Sequence, residues 1–301
     1  MQPLAILVAA PPMSLDRCTH ECIHDDGINS WTMASISAPS DIADLIQGYC
    51  DYREHTGGFT TRRELPHAEG VFIVNLGDPI SITGGDGAVL SLKAGEAFVA
   101  GAHLRPALSH SSGAQAGVHI YLPLATLRRL LGTPMHELAD RVVGLDALLG
   151  RSATDLCCSL QDAAGRDDRV RRLDQALRRR LRETDALSAQ QQHALRLLRV
   201  RPDLDISAIS KQIGWSRKHL ASRVRDAVGV GPRSFRRLLR FQTLTRLIGR
   251  DAARPDWAQL AVEAGYYDQP HMINEFVEFS GLTPTAYLAR SLPNGGGLIE
   301  A

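Results

Sequence analysis

A short segment near the carboxyl end of the chain places several polar side chains directly before a proline. Tyr266, Tyr267, Asp268 and Gln269 precede Pro270 in the sequence AGYYDQPHMINEF. Hydroxyl and amide groups form directional hydrogen bonds, and a side-chain amide can bond an adenine edge at two points. The hydrophobic residues after the proline recur at helical spacing. The segment therefore predicts a short helix with a polar amino-terminal tip and a buried remainder.

The same pattern occurs upstream, so the chain contains an internal repeat. Residues 213–235, IGWSRKHLASRVRDAVGVGPRSF, align with residues 264–287, AGYYDQPHMINEFVEFSGLTPTAY. The offset is 51 residues at first and 52 later, because the second copy has one extra residue just before its second helix. The matched pairs are Gly214/Gly265, Trp215/Tyr266, His219/His271, Leu220/Met272, Val224/Phe276, Gly229/Gly281, Pro232/Pro284 and Phe235/Tyr287. One structural unit used twice explains so many matches in one register.

Each copy is predicted to be a helix-turn-helix. The first helix, residues 206–213 or 257–264, ends at a glycine that can take the left-handed conformation. Ser216 and Asp268 are good amino-terminal caps for the second helix, and Pro270 falls in its first turn, where a missing N–H is tolerated. Paired helices with glycine turns also build all-helical interaction domains. Two copies with matched caps, glycines and prolines favour DNA, whose major groove accepts the polar tip of the second helix.

Residues 188–290 resemble the DNA-binding domain of the AraC/XylS family of transcriptional regulators. The segments ISAISKQIGWSRKHLASRVRDAVGVGPRSFRRLLR and WAQLAVEAGYYDQPHMINEFVEFSGLTPTAYL follow both family signatures, and Val224 departs from the usual phenylalanine. The resemblance implies two helix-turn-helix units joined by a long helix, here Pro232 to about Ile248. Such a helix spans ~26 Å and can hold two recognition helices near one DNA turn, ~34 Å, apart. Double-stranded DNA and RNA polymerase are the implied partners.

The resemblance also implies which residues meet DNA. In the first recognition helix they are Arg217, Lys218, Ala221, Ser222 and Arg225. In the second recognition helix they are Gln269, His271, Ile273 and Asn274. Arg217 or Lys218 suits guanine, Gln269 or Asn274 suits adenine, and Arg225 suits phosphate. His271 is ambiguous, because His219 holds the same repeat position and a structural role would explain both.

The charge distribution separates an acidic front from a basic back. The chain of 301 residues carries a net charge of +1, with 44% hydrophobic and 22% charged residues, as in ordinary soluble proteins. Residues 1–165 hold 10 basic and 18 acidic side chains, residues 166–200 hold 10 and 5, and residues 201–292 hold 14 and 9. The arginine-rich back could face phosphate, although a solvated basic face has the same composition.

The termini and cysteines bear on the compartment. The apolar run Pro3 to Pro12 is about half of a membrane span and lacks a basic flank, which predicts a first strand or a loose tail and no signal peptide. Five cysteines without secretory context favour a reducing cytoplasm. We therefore expect a cytoplasmic protein with no membrane partner.

Residues 30–125 are predicted to be rich in β-strands. Short β-prone runs separated by glycine turns occur at residues 71–77, 79–83, 88–101 and 116–124. Their spacing favours a small barrel or a double-sheet roll, and it resembles the cupin-like sensor half common in the family. Helical patterns follow in LATLRRLLG and in MHELADRVVGLDALLG, residues 135–150. The predicted fold class is α+β, with a β-rich sensor domain ahead of an all-α domain.

The predicted domain organisation has four parts. A β-rich sensor domain covers residues 1–165, a linking or dimerisation helix residues 166–185, the DNA-binding domain residues 186–292, and a tail residues 293–301. The helical pattern at 168–183 carries many arginines and one apolar stripe that needs a partner, either in a homodimer or on the sensor half. Its members are Val170, Leu173, Leu177 and Leu181.

Two groups of residues in the front half could bind a ligand. The first could line a pocket for an unknown small effector, although a surface or core position explains each member as well: His67, Asn75, His103, His110 and His119. The second is CTHECIH, where Cys18, His20, Cys22 and His24 alternate and share one face of a strand. Four ligands from one short strand close poorly around a tetrahedral ion, so we expect no metal there.

Two alternative functions follow from these residues. A metal- or redox-responsive regulator would use the Cys18–His24 segment. A cupin-type metalloenzyme with a helical regulatory domain would need an H-x-H motif with a later Glu and His, and the β-rich region has no such motif. We therefore expect a regulator without catalytic residues and without a cofactor.

Overall fold

The computed structural model describes residues 17–57, 60–249, 255–292 and 297–300. The apolar run Pro3 to Pro12 lies outside these residues. The described chain is α+β, with strands and short helices in the front half and helices in the back half. No helix in the described ranges has the length and apolar character needed to cross a membrane.

The strands form two antiparallel sheets. The larger sheet has the order β1-β2-β3-β10-β5-β8-β11, and the smaller has the order β4-β9-β6-β7. The strands are β1 (Cys18–Asp25), β2 (Asn29–Ser37), β3 (Gly48–Thr56), β4 (Thr61–Glu64), β5 (Glu69–Asn75), β6 (Ile80–Thr83), β7 (Val89–Leu92), β8 (Glu96–Ala100), β9 (Ala107–Ser111), β10 (Ala114–Pro123) and β11 (Val142–Gly144). We refer to the two sheets together as the barrel.

The helices follow the last long strand. They are α1 (Leu124–Leu131), α2 (Leu145–Leu149), α3 (Arg151–Gln161), α4 (Arg166–Glu183), α5 (Ala189–Val200), α6 (Ile206–Ile213), α7 (Arg217–Val228), α8 (Pro232–Ile248), α9 (Trp257–Glu263), α10 (Gln269–Ser280) and α11 (Pro284–Arg290). Ser188 and Gln191 form a capping box at the start of α5. The connecting helix α8 has the bounds predicted from the sequence.

Two segments of the front half differ from their predicted structure. The run 88–101 is divided between β7 and β8 at Gly95, whose φ of +79° makes a turn. The segment 135–150, predicted to be helical, contains a 3-10 helix (Met135–Glu137), strand β11 and only then α2. Asp140 has a left-handed φ of 58°, which interrupts helical geometry. Val143 then pairs with Val99 of β8, where a β-branched side chain fits well.

Strand β10 separates two cores. Val118, Ile120 and Leu122 are fully buried on one face, in a large core shared with the helices. A smaller apolar core lies between the two sheets and contains Ile80, Ile82, Leu92, Phe98 and Ala107. The other face of β10 carries His119 and Tyr121, so the barrel interior is part apolar and part polar.

Helix α4 packs against the front half of the same chain. Its apolar stripe is at most 4% exposed and belongs to the core shared with α1 and α3. Two of its arginines pair with aspartates of the front half. Arg178 pairs with Asp41 at 2.7 Å, and Arg169 pairs with Asp51. The basic helix therefore meets the acidic front half directly.

Candidate nucleic-acid interface

The first helix-turn-helix unit consists of α6 and α7. Gly214 follows α6 with a φ of +78°, and the Trp215 N–H donates to the Ser210 carbonyl at 2.8 Å. This is the Schellman arrangement that closes a helix at its carboxyl end. Ser216 then caps α7, since its Oγ accepts the His219 N–H at 3.1 Å. The turn is therefore held by local hydrogen bonds that the sequence encodes directly.

The second unit, α9 and α10, repeats this geometry. Gly265 has a φ of +83°, and the Tyr266 N–H donates to the Ala261 carbonyl at 2.8 Å. Asp268 caps α10 by accepting the His271 N–H at 2.8 Å. The extra residue of this copy is Tyr267, which lies between the turn and the cap and is 90% exposed. The inserted residue thus lengthens the turn without changing either helix end.

The predicted DNA-contacting residues lie mainly on the outward face of the two recognition helices. In α7, Ala221 is half-buried and the other four are exposed, namely Arg217, Lys218, Ser222 and Arg225. In α10, His271 and Asn274 are exposed, whereas Gln269 and Ile273 are half-buried. Ile273 also packs against the main core. The two helix tips therefore present polar and basic groups to solvent.

The two equivalent histidines make equivalent contacts. The His219 ring meets Trp215 edge-on with centroids 4.8 Å apart, and the His271 ring meets Tyr266 edge-on at 5.4 Å. Each ring braces the aromatic residue of its own turn, a geometry typical of aromatic pairs. This repeated contact gives both histidines a structural role alongside any contact with DNA.

Helix α8 holds the second recognition helix by charge and aromatic packing. The side chain of Glu275 on α10 is 4% exposed and accepts hydrogen bonds from Arg237 at 2.7 Å and Arg240 at 3.0 Å. Phe276 and Phe279 pack on Phe241 with centroid distances of 5.3 and 5.1 Å. Sequence reasoning missed the Glu275 cluster. Its only signal is a pair of arginines one helical turn apart on α8.

The first recognition helix is instead held by the front half. Arg128 of α1 pairs with Asp226 of α7 at 2.8 Å. Gly229 ends α7 with a φ of +87°, and a Cβ there would lie 2.9 Å from the Met135 carbonyl oxygen. Only glycine fits this approach without a shift. The first unit is thus anchored directly on helix α1 and on the segment around Met135.

The structure places two of the five candidate effector residues together. The pKa of His119 is lowered to about 3, mainly by burial and to a lesser extent by the charge of the nearby His67. Cys50 and Tyr121 share the His119 face of the sheet, and burial raises the pKa of the Cys50 thiol to about 11. Tyr121 keeps 37% of its surface accessible, yet burial raises its pKa as well. These side chains lie on the face of the larger sheet that looks toward the smaller sheet, and we call this region the barrel chamber.

The other three candidates lie elsewhere. The Asn75 amide is fully buried and donates to the carbonyls of Asp78 and Lys93, which is a structural role. His103 is 8% exposed and bonds the Gly101 carbonyl through Nδ1 at 3.0 Å. His110 is exposed and lies 2.9 Å from Thr61 Oγ1. None of these three belongs to the barrel chamber.

The CTHECIH segment forms strand β1, paired with β2. An irregularity between Cys18 and His20 breaks the register, so the four alternating residues do not continue along one uniform ladder. His24 stacks on Trp31 with ring centroids 4.0 Å apart. Within the described ranges, no cluster of three or more His, Cys, Asp and Glu side chains is placed to hold a metal ion.

Two matched, capped units with exposed polar tips, the first of them basic, are joined by one long helix and define a DNA-binding domain of the double helix-turn-helix class. Residues 209–290 match a family model described as a helix-turn-helix domain. Residues 209–290 therefore form an AraC-type helix-turn-helix domain, and the chain is a DNA-binding transcriptional regulator.

Solved structures of regulators resemble the chain at low sequence identity. ToxT from Vibrio cholerae is 11% identical over 87% of this chain and 98% of that chain, with a TM-score of 0.48. The C-terminal domain of AraT, a response regulator from Geobacillus stearothermophilus, is 16% identical over 37% of this chain and 93% of that chain, with a TM-score of 0.33. A DNA-binding transcriptional dual regulator from Escherichia coli K-12 is 18% identical over 35% and 100%, with a TM-score of 0.28. No curated protein matches the chain.

Proposed function

We propose that this regulator reads two successive major-groove segments with the tips of α7 and α10, and that a small effector acts through the barrel chamber. The observation that carries the first part is the matched presentation of both tips by equivalent turns and caps. The 17 residues of α8 separate the two units. At 1.5 Å per residue, α8 is ~26 Å long, which suits recognition helices spaced about one DNA turn apart.

Each tip is assigned a role by its chemistry. Arg217 or Lys218 pairs with guanine in the first segment, and Gln269 or Asn274 pairs with adenine in the second. Arg225 lies two turns along α7 from Arg217 and contacts phosphate. Gln269 and Asn274 are five residues apart, so they are offset by about 140° around α10. Gln269, directly after the cap, is therefore the principal reader of the pair.

Selection of bound sites from random DNA with the full-length protein tests this assignment. We expect a site with two preferred patches about one helical turn apart. Arg225→Gln should weaken binding to all sequences alike and reduce the salt dependence by about one counterion. Arg179→Gln, at an exposed arginine of α4, is the matched control and should change neither the affinity for DNA nor its salt dependence. A selection without any preferred sequence would contradict base reading by the tips.

The proposed effector site is the barrel chamber. Cys50, Tyr52, His119 and Tyr121 share one face of strands β3 and β10. Burial favours the neutral form of each group: it lowers the pKa of His119 and raises the pKa values of the thiol and the two phenols. The charged side chains of Arg62 and Glu54 at this face compensate each other in an ion pair. The remaining neutral donors and acceptors suit an uncharged polar ligand, because a charged ligand would lose its hydration without a counter-charge.

We also propose RNA polymerase as a partner, a homodimer as the assembly and the cytoplasm as the compartment. The protein would act through binding and not through catalysis, in line with its regulator-type DNA-binding domain. The apolar stripe of α4 is covered within one chain, which supports a linking role for residues 166–185 and directs the search for a dimer interface to other surfaces.

A further inference from the structure

The last described residues of the chain form two isolated antiparallel bridges, one to strand β4 of the smaller sheet and one to Ser291. Strand β4 lies at the edge of that sheet. The Arg63 N–H donates to the Leu298 carbonyl at 2.9 Å, and the Glu300 N–H donates to the Thr61 carbonyl at 3.1 Å. On the other side, the Ile299 N–H donates to the Arg290 carbonyl at 3.1 Å. Residues 298–300, a short bridged segment that we call the tail strand, therefore connect the barrel edge to the end of the DNA-binding domain.

Arg63 joins the tail strand to the second recognition helix. Its Nε and Nη2 donate to the two carboxylate oxygens of Glu300, at 2.6 Å each. Its Nη1 donates to the Ser280 carbonyl at 3.0 Å. Ser280 is the last residue of α10, where carbonyls lack intrahelical partners and a cation is favoured by the helix dipole. Arg63 therefore holds the carboxyl end of α10 and the tail strand at once.

The surroundings of Arg63 favour this geometry. The side chains of Arg63 and Glu300 are 17% and 21% exposed, and hydrogen bonding to Arg63 lowers the pKa of Glu300. The pair is therefore ionised at neutral pH and only partly screened by water. Gly281 has a φ of +71°, and a Cβ there would come within 2.9 Å of Arg63 Nη1. A glycine directly after α10 thus leaves room for the guanidinium.

The neighbouring residue on β4 faces the opposite way. Arg62 donates to both carboxylate oxygens of Glu54, at 2.5 and 2.8 Å, and the Glu54 side chain is only 3% exposed. Glu54 lies on β3, on the same face as Cys50 and Tyr52 of the barrel chamber. Consecutive residues of one short strand therefore contact the chamber wall and the second recognition helix.

We propose that β4, Arg63 and the tail strand form a latch that fixes the second helix-turn-helix unit against the barrel, and that Arg63 is a positioning residue for DNA binding. The inference rests on the proposed function and adds the route by which the barrel acts on that unit. The latch grips the carboxyl end of α10, so the tip with Gln269 remains accessible. A unit oriented before binding loses less conformational freedom on DNA, which strengthens the complex.

DNA binding by the full-length chain tests the latch. Arg63→Gln and Glu300→Gln are compared with the wild type on the selected site and on a site whose α10-contacted half is scrambled. Each variant should bind the selected site about 10-fold more weakly, because ordering a released segment costs roughly that much affinity. Neither should change binding to the scrambled site. Arg179→Gln and Glu263→Gln, at exposed charges elsewhere, are the controls and should match the wild type on both.

Amide exchange without DNA gives an independent readout. Both variants should speed exchange at Arg63, Gly281 and Glu300, whose N–H groups are bonded at or beside the latch. Unchanged exchange would overturn the latch. So would faster exchange with wild-type affinity for the selected site, or a gain in affinity, since the latch would then be irrelevant to binding or opposed to it. A wild type that binds no duplex overturns the proposed function itself, a result visible without any variant.

Discussion

Replacing Phe276 by alanine should destabilise the second helix-turn-helix unit without removing any group that touches DNA. The side chain is fully buried, and its ring packs on Phe241 at 5.3 Å and on Tyr287 at 5.5 Å. Truncating a buried phenylalanine to alanine usually costs ~3–5 kcal/mol, through lost burial and the cavity left behind. Each aromatic pair adds ~0.5–1.5 kcal/mol to that loss. We therefore expect a value in the upper part of the range.

Urea unfolding of the full-length protein measures this loss, and DNA binding shows where it acts. Affinity should fall by the same factor on the selected site and on its single-base variants, because the helix loses its support and not a base contact. Val277→Ala is the matched control: the neighbouring side chain is 40% exposed, and its truncation should cost at most about 0.5 kcal/mol. A loss below about 1 kcal/mol for Phe276→Ala, or an effect confined to particular base pairs, would refute the assignment of this residue to the core.

Three further predictions concern the interface and the barrel. Gln269→Ala should lose ~1–3 kcal/mol of discrimination at one or two base pairs while the melting temperature stays unchanged; an equal loss on every single-base variant would mean a phosphate contact. Residues 186–301 alone should shift duplex DNA in a gel, with binding that weakens steeply as salt rises because arginines displace counterions; no shift on any sequence at low salt would contradict this. Burial lowers the pKa of His119 from its ordinary value of 6.5 to about 3, so the unfolded chain binds more protons between those values and stability should fall as pH drops through that window. His119→Gln should flatten that part of the pH–stability curve, and an unaltered curve would show that the imidazole is not desolvated.

The helix-turn-helix units were predictable because their signals are local. A cap such as Ser216 bonds a backbone N–H three residues away, and Gly214 ends its helix by its own conformation. Pro232 begins α8 for an equally local reason, since its missing N–H is not needed in a first turn. The second unit then shows the same cap, glycine and proline signals at matching positions. The same reasoning found the stripe of α4, whose period is a property of one helix.

The remainder depends on contacts between distant residues. From the sequence alone, Val142 and Val143 are predicted to belong to a helix. They form a strand because β8 pairs with them in the folded chain. The proximity of His67 and His119 needs the barrel to close, and spacing in the sequence does not distinguish them from His103 or His110. Glu275 resembles any solvent-facing acid of an amphipathic helix. Burial of Glu275 is possible because Arg237 on α8 pairs with its carboxylate, a contact between residues far apart in the sequence.

The pairing of the chain's end with β4 also bears on solubility. Thr61–Glu64 is an edge strand, and an uncovered edge offers unpaired N–H and C=O groups to any other extended chain. A version shortened to residue 292 would expose those groups on every molecule. It would also lack Glu300, so the charged pair with Arg63 would be lost at the same place. Such a protein should self-associate edge to edge during expression or concentration. Trimming the chain to obtain better-behaved samples would then have the opposite effect.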